Sequence, residues 1–309
     1  MYVYVCISHR LLLFYSTSSE YCVWLLVSEG NNKSGPSAAF FADLEQRCPN
    51  LRSLDLSYVD LRAPLPASVE FLALGESWLS PSGWPASRFD AESQTVTLPR
   101  LREVELVGVK LRKGAMAALP SSVERLWILD TRLPQSCFQS DPVNQGVVSP
   151  SRLAELDFSY SNSTAPEIRQ ATTAWPHVTT LKLDECFYIP FTQFVTNLDR
   201  LEVLEANELL TSLTDFNVCV ICDNLGGTLR RLGIAGSQLS VIGAWLIAEK
   251  LTHLESLEVS SCRQLPPVTF FMFANLRGTL RSLNISDTNV DSGTVDVLKS
   301  CMPACNIVN

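Results

Sequence analysis

The chain has 309 residues, 46% of them hydrophobic and 18% charged, the proportions of a folded globular protein with room for one large domain or two ordinary ones. Lysine and arginine number 24 against 32 aspartates and glutamates, a net charge of −8. That balance excludes a general basic field for polyphosphate, so no nucleic-acid partner is expected.

The first thirty residues, MYVYVCISHRLLLFYSTSSEYCVWLLVSEG, are apolar and aromatic but broken by His9, Arg10 and Glu20. Their longest apolar runs, Leu11–Tyr15 and Tyr21–Val27, fall far short of the roughly 18 residues a spanning helix needs, and no membrane partner is expected. Residues 1–35 read as an atypical N-terminal segment. Within it, Tyr21–Val27 lies where a degenerate first strand would be, since Val23 precedes Leu51 by 28 residues.

Beyond residue 36 the pattern Leu-x-x-Leu-x-Leu, with aliphatic substitutes, recurs ten times. Matches begin at Leu51 (LRSLDL), Val69 (VEFLAL), Leu101 (LREVEL), Val123 (VERLWI) and Leu153 (LAELDF). They continue at Val178 (VTTLKL), Leu201 (LEVLEA), Leu229 (LRRLGI), Leu254 (LESLEV) and Leu280 (LRSLNI). The intervals are 18, 32, 22, 30, 25, 23, 28, 25 and 26 residues, mostly near the period of a leucine-rich repeat. Positions 4 and 6 of each unit alternate with polar ones, so each unit supplies a short strand with one buried edge. One such strand cannot bury its apolar side alone; stacked neighbours share a leucine core. The expectation is an α/β leucine-rich-repeat solenoid, a horseshoe with a concave parallel sheet and convex helices or irregular segments. Residues 36–309 form one repeat domain of about ten repeats.

The returning segments predict helices at AFFADLEQRC (39–48), IPFTQFVTNL (189–198), VIGAWLIAEKL (241–251) and TFFMFANL (269–276). The Pro-, Ser- and Gly-rich stretches 75–94 and 131–150 predict loops. The closing VDVLKSCMPACNIVN predicts a final helix and a capping strand at Asn306–Val308.

In such strands positions 3 and 5 point to the concave surface, and positions 7 and 8 follow on its rim. Acids occupy thirteen of these positions: Glu103 and Glu155 at position 3; Asp55, Glu105, Asp157, Glu205 and Glu258 at position 5; Asp184 at position 7; Glu76, Asp130, Glu185, Glu208 and Asp287 at position 8. Bases occupy three, Arg125, Lys182 and Arg231, while the remaining residues hold 19 acids and 21 bases. The excess negative charge therefore lies on one face. The expected site is a surface complementary to a basic segment of a partner protein, with Phe71 and Trp127 as exposed aromatic anchors and Arg125, Lys182 and Arg231 interrupting the acids. The competing reading is that acids at polar strand positions serve solubility. A row of like charges costs stability unless it is interrupted or used.

Catalytic chemistry is not expected. His177 and His253, in WPHVTTL and LTHLESL, sit just before repeat strands, where a turn explains them. Cys219-x-x-Cys222 lacks two further ligands: Cys301 and Cys305 lie about three repeats away, roughly 14 Å at strand spacing. The pair is better placed on a convex helix, and no metal or cofactor is expected. No GxxxxGK[ST], GxGxxG, GxSxG or HExxH motif occurs, so the chain does not read as an enzyme. Ten cysteines dispersed through a long chain read as reduced, packed thiols, which places the protein in the cytoplasm or nucleus. Sequons at Asn32, Asn162 and Asn284 support secretion only weakly, Asn284 being at position 5 of a strand.

The stretch AFFADLEQRCPNLRSLDL (39–56), in which a helix ending in Cys-Pro-Asn-Leu leads into the strand, resembles the first well-formed repeat of F-box/leucine-rich-repeat proteins. Cys186 and Cys262, three residues after the last apolar strand position, match a habit of that family, and LKSCMPACNIV resembles its closing helix and strand. LPASVEFLAL and LPSSVERLWI also resemble its short units. The resemblance covers about residues 36 to 308 and implies the substrate receptor of an SCF-type ubiquitin ligase, whose repeats hold the protein to be ubiquitylated. An F-box needs some forty helical residues opening with Leu-Pro, which residues 1–35 do not supply. A Skp1–cullin contact would therefore lie outside this chain, and no Skp1-contact residue carries over. The alternatives are an adaptor-free interaction scaffold and, with disulfides, an extracellular repeat receptor.

Overall fold

The computed structural model describes residues 36–85, 100–139 and 152–309 apart from Asn162, 187, 188, 190 and 210–212, together with the backbone of five further strands. The sequons at Asn32 and Asn162 and residues 140–150 of the expected loop at 131–150 lie outside the described residues; its described part carries a 3-10 turn at Gln135–Phe138. The chain divides into two compact units, residues 1–153 and 154–309.

In the first unit come β1 (Tyr2–Ile7), β2 (Arg10–Thr17), β3 (Glu20–Leu26), α1 (Ala38–Arg47), β4 (Leu51–Ser57), β5 (Asp60–Leu61), β6 (Phe71–Gly75), β7 (Trp78–Leu79), β8 (Arg88–Asp90), β9 (Thr95–Thr97), β10 (Glu103–Val107), β11 (Lys110–Leu111) and β12 (Arg125–Leu129). β3 lies on the segment expected to hold a degenerate first strand and pairs parallel with β4; β1 and β2 precede it as antiparallel neighbours. From β4 the ladder runs parallel through β6 and β10 to β12. Behind it β5, β7 and β11 form a second, three-stranded parallel sheet. The expected loop at 75–94 thus carries strand β7, a 3-10 turn at Pro81–Gly83 and β8 of a short hairpin. Trp84 from this stretch is buried, its indole N–H donating to the Ala115 carbonyl at 2.6 Å.

The second unit holds β13 (Glu155–Asp157), α2 (Ala165–Ala174), β14 (Thr180–Lys182), β15 (Val203–Glu205), α3 (Asp215–Leu225), β16 (Arg231–Gly233), α4 (Val241–Lys250), β17 (Ser256–Glu258), β18 (Ser282–Asn284), α5 (Ser292–Cys301) and β19 (Asn306–Val308). Its strands pair parallel in chain order from β13 to β19. Helices α1, α4 and α5 and the capping strand β19 stand where the sequence puts them. The expected helices at 189–198 and 269–276 are 3-10 instead, at Phe191–Gln193, Val195–Asn197 and Pro267–Leu276. Both are dense in β-branched and aromatic residues, which lose side-chain freedom in an α-helix, whereas α4 carries Ala244, Leu246 and Ala248. A 3-10 segment also rises about 2.0 Å per residue against 1.5 Å, covering the same height with fewer residues.

All thirty residues at positions 1, 4 and 6 of the ten repeats are buried. Each of the larger side chains, all but Ala206, contributes about 2 kcal/mol before chain entropy is subtracted, which favours leucine at these positions. Behind the strands of the second unit the Phe191–Phe194 and Phe270–Phe273 ring pairs fill the core, with centroids 5.5 and 6.1 Å apart.

Two further positions repeat. Position 8 has left-handed φ in all ten repeats: Tyr58, Glu76, Gly108, Asp130, Tyr160, Glu185, Glu208, Gly236, Ser261 and Asp287 lie between 45° and 70°. That turn points the position-8 N–H at the next repeat's position-7 carbonyl, as in Glu76 to Val107 at 2.8 Å and Glu208 to Ala235 at 2.8 Å. Position 9 is a buried Ser, Thr or Cys in six repeats. Its hydroxyl or thiol meets the backbone of the preceding repeat: Thr131 Oγ1 donates to Leu106 O at 3.2 Å, Cys186 Sγ to Phe158 O at 3.1 Å and Cys262 Sγ to Ile234 O at 3.5 Å. Cys186 and Cys262 are therefore hydrogen-bonding core residues. Burial pushes the Cys186 thiol up to about 11.

Candidate partner-binding face

The strands place positions 3 and 5 side by side on one surface of each unit. In the first unit position 5 runs Asp55, Ala73, Glu105, Trp127, and position 3 runs Ser53, Phe71, Glu103, Arg125. In the second, position 5 runs Asp157, Lys182, Glu205, Gly233, Glu258, Asn284, and position 3 begins Glu155, Thr180, Val203, Arg231.

All three bases on this surface are matched to acids of the preceding repeat. Arg125 meets Glu103 at 3.1 Å, Lys182 meets Glu155 at 2.8 Å and Arg231 meets Glu205 at 3.7 Å. Glu258 is engaged differently: its Oε2 accepts from Asn284 Nδ2 at 2.7 Å and its Oε1 from the Ser260 N–H at 3.1 Å. The sequon nitrogen of Asn284 is thus already in use. Asp157 departs from the expectation of an exposed acid. It is only 9% exposed, and its Oδ1 accepts the Ser159 N–H at 2.8 Å, closing a local turn. Phe71 and Trp127 are half-buried and not the exposed anchors expected.

Asp55 and Glu105 are left without a cation among the described residues. They flank Ala73 in register, two strand spacings or roughly 9.5 Å apart, with Phe71 on the strand between them and Trp127 beside Glu105. Burial, and then the nearby Glu105, push the Asp55 carboxyl above its ordinary value. Two like charges at that separation cost on the order of 1 kcal/mol, and the small Ala73 methyl leaves the space between them open. A cationic side chain entering there would meet two carboxylates and two aromatic edges. In the second unit burial likewise raises Glu205, with Lys182 and Arg231 opposing it, and raises Asp184, whose Oδ1 accepts the Asn207 N–H at 2.7 Å.

Position 2, at the start of each strand, behaves otherwise. Arg52 meets Glu70 at 3.4 Å, Arg102 meets Glu124 at 3.9 Å, and Arg230 meets Glu202 at 3.8 Å and Glu255 at 2.5 Å. The sign alternates over Arg52, Glu70, Arg102 and Glu124 and again over Glu202, Arg230, Glu255 and Arg281, with Ala154 and Thr179 between the two runs, so opposite charges stand on adjacent strands. His177 and His253 lie exposed in turns, and Cys219 and Cys222 lie on α3, where burial pushes the Cys222 thiol up to about 12. The back sheet also brings together Trp78, Lys110 and Arg112, a group the sequence does not announce because its strands are two residues long. Among the described residues no helix is long and apolar enough to cross a membrane.

No family model matches the sequence, and no curated protein matches it. Among solved structures, an internalin from Listeria monocytogenes superposes with a TM-score of 0.52 at 16% identity, covering 86% of this chain and 69% of its own. A leucine-rich-repeat protein from Leptospira interrogans aligns over 87% of this chain and 98% of its own at 14% identity, with a TM-score of 0.21 that is too low to bear on the fold. At these identities the likeness to the internalin is one of fold alone. With ten parallel repeat strands and every motif aliphatic buried, the chain has the α/β leucine-rich-repeat fold.

Proposed function

We propose that this protein is an interaction module whose strand face holds a basic segment of a partner protein, and that it serves as the substrate receptor of an SCF-type ubiquitin ligase. The observation that carries the binding reading is the contrast between the two charge rows. At position 2 Arg52, Arg102 and Arg230 each meet a glutamate on an adjacent strand, while Asp55 and Glu105 are half-buried on either side of Ala73 with no cation beside them among the described residues. Solubility alone does not call for a carboxylate whose ionisation the fold makes harder; a cation arriving from a partner would reverse that cost. The ligase reading rests on the resemblance to F-box/leucine-rich-repeat proteins at 39–56, Cys186, Cys262 and the closing segment. LPASVEFLAL and LPSSVERLWI favour a small member, F-box/leucine-rich-repeat protein twelve. On this reading residues 36–309 are the substrate-holding repeats, residues 1–35 precede them, and the protein works in the cytoplasm or nucleus with its thiols reduced.

A fluorescein-labelled lysine- and arginine-rich peptide tests the face. The double reversal D55K/E105K weakens its binding by about tenfold or more, while E202K/E255K, in the balanced row, leaves it nearly unchanged. Equal losses in both variants would remove the face from the reading. Recovery of Skp1 and a cullin from cells with the protein extended by any upstream coding sequence tests the ligase part. Their absence leaves an adaptor-free scaffold, and ten free thiols in the denatured, unreduced protein exclude a disulfide-bonded receptor.

A further inference from the structure

The back sheet of the first unit carries the opposite charge. Leu61, Leu79 and Leu111 of β5, β7 and β11 are buried against the core, so Asp60, Trp78 and Lys110 line the other side of the sheet in register, Trp78 and Lys110 exposed and Asp60 largely covered by its arginine partners. Trp78 is 44% exposed. Lys110 Nζ and the Arg112 guanidinium each stand 5.1 Å from its ring centroid, within the range of a cation–π contact. Asp60 fixes this arrangement: its Oδ2 accepts from Arg112 Nη2 at 2.8 Å and from Arg62 Nη2 at 2.7 Å. Arg112 Nε is buried without a hydrogen-bond partner, as is Asp60 Oδ1, so the pair is held by one edge only. Exposed Arg132 holds the equivalent outward position in the next repeat. The Glu76 carboxylate lies against Gly108 of the next repeat.

We propose that this sheet is a second docking surface, which takes an acidic peptide segment carrying an apolar residue between its carboxylates. The complement is set by charge: Arg62, Lys110, Arg112 and Arg132 stand against Asp60, which is already engaged, in a chain that is otherwise acidic. The exposed Trp78 edge asks for an apolar side chain between the acids. A nucleic acid fits less well, because a phosphate backbone needs a longer basic track than these few cations, and the net charge of −8 repels it. The surface is independent of the strand face, and a single partner could engage both.

The test uses the whole protein and a fluorescein-labelled glutamate-rich peptide with a central leucine, read by anisotropy at low and high salt. Binding is expected to weaken by about tenfold in K110E/R112E and by about threefold in W78A, and to fall with salt. The charge-neutral K110Q/R112Q is a second variant for the case in which reversal disturbs folding, and it is expected to lose binding as well. In both double variants the basic peptide of the preceding test still binds, and D55K/E105K leaves the acidic peptide bound. Those two results separate failure of this surface from failure of the strand face. No peptide binding to the unaltered protein, equal binding in K110Q/R112Q, or tighter binding of oligothymidylate than of the peptide overturns the proposal.

Discussion

In the first unit the ladder strands β4, β6, β10 and β12 are five to seven residues long and the chain returns through two-residue strands and turns; in the second the strands are three residues long and the returns are mostly α- or 3-10 helices. The spacing of the motif follows the same division. Intervals in the first unit are 18, 32, 22 and 30 residues, and in the second 25, 23, 28, 25 and 26. A helix must pack on the helix of the next repeat, so each return has to span the same height and the repeat length is held nearly constant. A two-residue strand asks only for one register match, Asp60 to Trp78 to Lys110, and an insertion such as the β8–β9 hairpin can leave and rejoin the stack without disturbing it. Regular spacing therefore records a helical back, and irregular spacing a backbone-paired one.

That contrast can be broken first in the core. Phe273→Ala, which opens the ring pair with Phe270, is expected to cost about 3–5 kcal/mol in chemical denaturation, and Leu111→Ala on the two-residue strand about 2 kcal/mol. A Leu111→Ala loss as large as that of Phe273→Ala would mean the back sheet is as tightly packed as the helices. Next in size are Gly108→Val and Gly236→Val. Both glycines have left-handed φ, +62° and +70°, and an added Cβ would meet Glu76 Oε1 or Glu208 Oε2 at 2.6 Å. Each is expected to lose about 1–3 kcal/mol, the same in either unit because this turn is common to both. Unequal losses would show that the backs dictate the turns. Thr164→Ala removes the capping box with Glu167 at the start of α2 and is expected to cost about 1 kcal/mol; circular dichroism during melting checks it, and no loss would show that packing alone holds the return helix.

The smallest effect is one of pH. Because the folded Asp55 carboxyl lies above its ordinary 3.8, its contribution to stability is full below that value and is lost as pH rises through the raised folded one. Asp55→Asn is therefore expected to melt higher than the unaltered protein at neutral pH and to show no advantage below pH 3.8. Glu205, raised by burial but opposed by Lys182 and Arg231, should gain less when changed to Gln.

The thirty core positions were legible because their period is a property of the chain itself, and α1, α4 and α5 because their apolar residues follow one another at helical spacing. α2 carries its own signal as well: Thr164-Ala-Pro-Glu167 is a capping box with proline in the first turn, short of any apolar run. Position 8 was not legible, since Tyr, Glu, Gly, Asp and Ser all occur there and the left-handed turn is imposed by the ladder around it. The acidic row could be counted from the sequence but not sorted. Which acids are neutralised depends on register between residues more than twenty apart, as in Lys182 with Glu155, and Asp157 looks like its neighbours until its burial is known.

Within each stack the position-8 N–H reaches only the next repeat, and the strand bonds do the same. Among the described residues no hydrogen bond ties the far ends of the second unit together, so tension applied at the β19 side would peel it one rung at a time. Each detached rung exposes the same set of donors and acceptors as the last. The unit would lengthen in near-equal steps under load and rewind from the remaining rungs, an unravelling spring in place of a single rupture.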